Sequence, residues 1–170
     1  MFSGIVGTGS GSLLLNKLMV KYEVLKENDS IKPETLENFR VEKACSIMPI
    51  GIFLGLFLAT GGVIISTAFS KPMNYITYLI GIGLGEFFIF LTISPTAIAI
   101  MTCVPNHLRG QANAVSVFFM HAIGDFPSPA IIGVWFQVFG QLVGMVLTTG
   151  WLIFAVLFWT IGWNISVIFI

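Results

Sequence analysis

The sequence predicts an all-α integral membrane protein, and three observations predict it. Of the 170 residues, 56% are apolar and 9% charged, with a mean hydropathy of +0.94. A soluble domain carries roughly a quarter charged residues, so this chain has too little polar surface to cover a soluble core. Twelve of the sixteen charges lie between Lys17 and Lys43. The other four, Lys71, Glu86, Arg109 and Asp125, stand among apolar runs of about 20 residues or more, the length that spans a bilayer core. The formal net charge is zero and there is no basic patch, so nothing supports a nucleic-acid partner. The two cysteines, Cys45 and Cys103, form no disulfide framework.

About five transmembrane helices follow in order. Residues 1–16 are apolar and glycine-rich but cover only about half to three-quarters of a span. They lack the basic start and small-residue cleavage site of a signal peptide. They read as the latter part of a transmembrane helix whose beginning is missing. Gly7 and Gly11 stand at GxxxG spacing, which lets another helix approach closely.

Residues 17–43 are the one soluble stretch, a loop beginning at Asn16 and Lys17. Ser30 followed by Pro33-Glu34 resembles a helix start, with proline tolerated in the first turn and acids near the N-terminus. Leu36 and Phe39 would share a face, giving a short helix at the membrane surface; a solvated linker is the alternative. Residues 44–69 form the second span, with Gly51 and Gly55 at GxxxG spacing, closed by the turn Ser70-Lys71-Pro72. Residues 73–103 form the third, containing Gly81, Gly85 and Glu86, with a kink expected at Pro95. Arg109 marks the next turn. Residues 110–137 form the fourth span, Phe139-Gly140-Gln141 a short turn, and residues 142–170 the fifth. The loops 17–43 and 104–110 carry seven Lys and Arg against one, Lys71, on the opposite side. The first side is therefore expected to be cytoplasmic. The organelle, plasma membrane or endolysosome, is not legible.

The chemistry concentrates in 104–133. His121 and Asp125, at i and i+4, share a helix face. One turn each way extends the stripe to Asn113 and Ser128. Such a polar seam on an apolar helix faces protein or a water-filled cavity rather than lipid. Pro127 cannot donate to the carbonyl of Ile123, nor Pro129 to that of Asp125. A broken helix with free carbonyls beside a carboxylate suits a substrate or proton site in a transporter. Glu86 is a second candidate for that role. The plainer reading of both is a set of polar ties that fix helix packing. An enzyme is not expected: Gly124-Asp125 lacks the first glycine of the GxGD motif of intramembrane aspartyl proteases, and no Ser-His-Asp order, P-loop or dinucleotide motif appears. His121, Asp125 and Glu86 have metal-ligand chemistry but no second histidine or cysteine beside them, and neither a metal nor a cofactor is expected.

Val104-Pro105, Arg109, His121, Gly124-Asp125, Ser128-Pro129 and Gly133, with Gly85-Glu86 before them, resemble the Spinster-like lipid transporters of the major facilitator superfamily. The resemblance implies the C-terminal half of a twelve-helix transporter, helices eight (partial) to twelve of a six-helix bundle. It also implies transport of a lysolipid, sphingolipid or similar organic solute by alternating access, with proton coupling as an option. Its partners would be the bilayer, the solute and the missing N-terminal half. Asn16 and Lys17 stand where the superfamily's loop motif ends in Asp-Arg, which removes the charge that latches the cytoplasmic gate. A non-transporting membrane scaffold, or a degenerate half-transporter, is the alternative.

Overall fold

The computed structural model describes residues 2–27, 33–68 and 74–168. Seven α-helices account for nearly all of them: α1 (Phe2–Glu27), α2 (Pro33–Ala68), α3 (Tyr75–Leu91), α4 (Ile93–Thr102), α5 (Arg109–Phe119), α6 (Ser128–Gly150) and α7 (Leu152–Ile168). A short 3-10 turn, Asn106–Leu108, precedes α5, and a π-helical turn, Met120–Asp125, follows it. Three helical stretches, Thr35–Thr67, Tyr75–Thr102 and Asn106–Ile168, are long and apolar enough to cross a membrane. The last, at 63 residues, would run about 95 Å as a straight helix, three times the bilayer core. It is broken on the way.

Each break has a local cause. Pro95 has no N–H for the carbonyl of Leu91, and the chain tightens at Thr92, whose N–H turns back to Ile89 at 3.1 Å. This divides the expected third span into α3 and α4. Gly140 lies inside α6 with φ 80° and ψ 170°, a conformation that glycine adopts without a Cβ clash. It falls in the stretch Phe139-Gly140-Gln141 where a turn is expected. A smaller break at Trp151 separates α6 from α7.

The N-terminal part departs from the expected boundaries. The helix does not end at Asn16 but continues to Glu27, so Asn16 and Lys17 are exposed helical residues and not the start of a loop. Leu15 and Met19, four apart, are both buried, and no glycine or proline interrupts residues 12–27. The surface helix and the second span are likewise one helix, α2, of 36 residues. Leu36 is buried in the same cluster as Ala44, Ile47 and Met48, with Phe39 packed against it. That shared apolar face carries the helix straight from the polar stretch into the apolar one. Ser30 and Lys71 lie outside the described residues.

Glycines set how closely the helices approach. Gly55 and Gly85 face each other across α2 and α3, where a Cβ on Gly55 would stand 2.9 Å from the Gly85 carbonyl oxygen. Further along, a Cβ on Gly81 would stand 2.5 Å from the Cα of Gly62. On α1, Gly11 lies so close to the Leu91 carbonyl oxygen that any Cβ there would overlap it. This is the carbonyl to which Pro95 cannot donate. Without a strong hydrophobic force between helices in lipid, such close backbone packing carries much of their association. The core lies at the opposite end of α2 from Ala68. Leu15, Met19, Leu36, Met48 and Ala99 meet there, and Trp159 and Trp163 of α7 pack against them.

Two contacts show which ends of the helices lie together. Arg109, at the start of α5, donates from Nη2 to Glu37 Oε1 at 3.1 Å, so the N-terminal ends of α2 and α5 meet. Leu142 and Val143, just past Gly140, share a cleft with Ile64 and Thr67 near the other end of α2.

Candidate functional site

The site is built on the π turn. Phe126 N–H donates to the carbonyl of His121 at 3.0 Å, an i+5 bond that fits one extra residue into the turn. Pro127 and Pro129 remove two chances to restore the α-helical ladder, and π turns of this kind concentrate at functional sites. The carbonyl of Asp125 is not left free, as the sequence alone suggests. Ser128 Oγ donates to it at 3.1 Å, supplying the hydrogen that Pro129 lacks.

His121 Nδ1 lies 2.5 Å from Asp125 Oδ2. Against an ionised carboxylate, which only accepts, Nδ1 is the donor of the pair. The two side chains are 61% and 68% exposed, and they stand on an outer face of the bundle. Among the described residues, the π turn packs mainly on its neighbours α5 and α6, and α5 in turn packs on α4.

Beside the turn is a cavity of about 350 Å³, within the size range of small-molecule sites. One wall is Asp125, Ser128, Ile131 and Trp135; the other is Thr148 and Trp151. Ser128, Ile131 and Trp135 follow the i, i+3, i+7 rhythm of one helix face. Trp151 arrives from beyond the break at Gly140. The two indoles approach to 5.9 Å between centroids at 49°, and Phe154 backs Trp151 at 5.2 Å.

The expected site residues are thus only partly brought together. Asp125, Pro127 and Ser128 line the cavity, and His121 holds the Asp125 carboxylate. Asn113 is exposed on α5 and is not among the lining residues. It stands eight residues before His121, about 12 Å along a helix axis, whereas the cavity lies beyond the π turn. Glu86 belongs to a different place. It lies on α3, which packs on α1, α2 and α4, and its Oε2 accepts from Ser3 Oγ at 3.1 Å, tying α3 to α1. Among the described residues, no group of three or more His, Cys, Asp or Glu side chains could hold a metal ion. Pro129 is exposed and acts through its missing N–H. Sequence reasoning missed Trp135 and Thr148; the spacing of Trp135 from Ser128 was the available signal.

The described residues are nearly all helical, and long apolar helices with a histidine–aspartate pair at a helix break have the build of a helical membrane protein. No protein-family model matches the chain, and no solved structure matches it. Two curated relatives from Arabidopsis thaliana do. "Probable sphingolipid transporter spinster homolog 2" is 26% identical over 131 residues, covering 77% of this chain and 22% of the relative. "Probable sphingolipid transporter spinster homolog 3" is 28% identical over 131 residues, covering 77% of this chain and 21% of the relative. The chain therefore spans about a fifth of the length of these relatives. Both are named as transporters, and the likeness is a distant relationship to Spinster-type proteins.

Proposed function

We propose that this chain is a multi-pass part of a secondary transporter that carries a lipid-like or small organic solute across a membrane by alternating access. The observation that carries the reading is the cavity at the π turn, which Asp125 lines with two tryptophans beside a helix break. A charge at the centre of a span opposes insertion by roughly 2.5–3.5 kcal/mol. Its apolar neighbours, such as Ile123, Phe126 and Ile131, each return roughly 0.3–0.6 kcal/mol. The span tolerates the charge, but a charged face still requires protein or water in front of it. In this reading a second helical bundle covers the exposed face of His121 and Asp125, and the solute lies between the two. The π turn and Gly140 are the points at which α5 and α6 bend as access alternates. The His121–Asp125 pair is the seat of proton coupling.

The test is flux of a fluorescent sphingolipid or lysolipid in proteoliposomes, with the full-length protein carrying these residues and with its Asp125→Asn form at matched insertion. Asparagine preserves shape and hydrogen bonding but not charge. We expect flux to fall at least about tenfold, a loss of roughly 1.4 kcal/mol in the transport barrier. Equal flux from the two proteins would leave Asp125 a structural tie.

A further inference from the structure

The chemistry of the cavity wall points to a particular kind of head group, an inference that rests on the transport reading for its cargo but not for its binding test. We infer that the cavity beside the π turn binds the protonated amine or quaternary ammonium head of an amphiphile, with Asp125 as counter-ion and the indoles of Trp135 and Trp151 as its aromatic wall.

Charge is the first argument. Of the residues that line the cavity, Asp125 alone is ionisable, and no lysine, arginine or histidine stands among them. A phosphate or carboxylate head would meet repulsion and no cationic partner. A cationic head would meet a group of opposite charge in a carboxylate. His121 Nδ1 engages Oδ2 alone, one of the two carboxylate oxygens. Oδ1 remains for a second donor.

The aromatic wall is the second argument. Two indoles 5.9 Å apart and inclined at 49° form an open corner rather than a closed stack. A cation within about 6 Å of such ring faces is attracted by their quadrupoles, most strongly by tryptophan. Phe154 holds Trp151 in place from outside the cavity. The remaining wall is aliphatic, with Ile131 and Ile132 inside. Ile123 lines its edge, and Phe126, outside the lining, is next to it along the turn; the two are 68% and 86% exposed. The polar end of a ligand fits the corner, and an alkyl chain leaves along these apolar side chains.

The experiment is equilibrium binding to the full-length protein in nanodiscs, with three tritiated probes of equal chain length: dodecyltrimethylammonium, dodecanol and dodecyl phosphate. The ammonium probe is expected to bind at least about tenfold tighter than the other two. Asp125→Asn should remove most of that preference while leaving dodecanol unchanged, which also reports that the fold survives. Trp151→Leu should weaken the ammonium probe about fivefold, and Trp151→Phe, which keeps a ring face, by less. Equal binding of the three probes, preference for the phosphate, or an unaltered preference in both Asp125→Asn and Trp151→Leu would overturn the assignment. Flux separates the two readings. An ammonium amphiphile that binds selectively but is not carried refutes transport and leaves the aromatic site. Amphiphiles carried without regard to head group refute the aromatic site and leave transport.

Discussion

Ser128 Oγ stands 3.1 Å from the backbone carbonyl of Asp125, in the position from which Pro129 has no hydrogen to give. The hydroxyl therefore completes a backbone that two prolines have opened, and it fixes the residue that carries the charge. Ser128→Ala removes that donor. A hydrogen bond of this kind contributes about 0.5–1.5 kcal/mol net, and its loss costs more where water cannot replace it. Thermal unfolding in detergent should show a loss of that size, with Ser128→Thr restoring most of it. A Ser128→Ala protein as stable as wild type would mean that the carbonyl finds another donor.

The packing of α1 on α3 makes a second prediction. Gly11→Ala places a methyl group on the Leu91 carbonyl oxygen and should destabilise the protein by about 1–3 kcal/mol, the usual cost of overpacking. Gly9, two residues away, has open space where a Cβ would stand, with nothing within 4 Å. Gly9→Ala should be neutral, or stabilising by up to about 1 kcal/mol through helix propensity. Equal effects at the two positions would refute this close approach of α1 and α3.

A third prediction concerns the end of the bundle at which Arg109 meets Glu37 at 3.1 Å. The pair is partly exposed, so a double-mutant cycle should give a coupling of only about 0.2–1 kcal/mol. The charge-reversed pair, Glu37→Arg with Arg109→Glu, should recover what either single reversal loses. Cysteines placed at positions 37 and 109 should label from the same side of the membrane. Labelling from opposite sides would break the arrangement of α2 and α5.

Much of this protein is decided by composition and local pattern, and the sequence by itself determined that much. Scarce charge and long apolar runs make it helical, because helices satisfy their own backbone where water is absent. Pro95, the Pro127–Pro129 pair and Gly140 mark where helices break, since a missing N–H or a positive φ acts on its own turn. The i, i+4 spacing places His121 beside Asp125 for the same local reason. Only the tertiary structure decided what depends on residues far apart in the chain. It carried α1 past Lys17 and joined the 33–43 segment to its span, because Leu15, Met19, Leu36 and Met48 bury one another. It set Glu86 on Ser3 and away from Asp125, because Gly7, Gly11, Gly55 and Gly85 draw α3 between α1 and α2. It brought Trp151 to Trp135 by reversing the chain at Gly140, and so made a cavity that neither helix face contains alone. Periodicity states which residues share a face; which faces then meet is set by the fit of backbones and side chains between helices, a quantity that no local window of sequence contains.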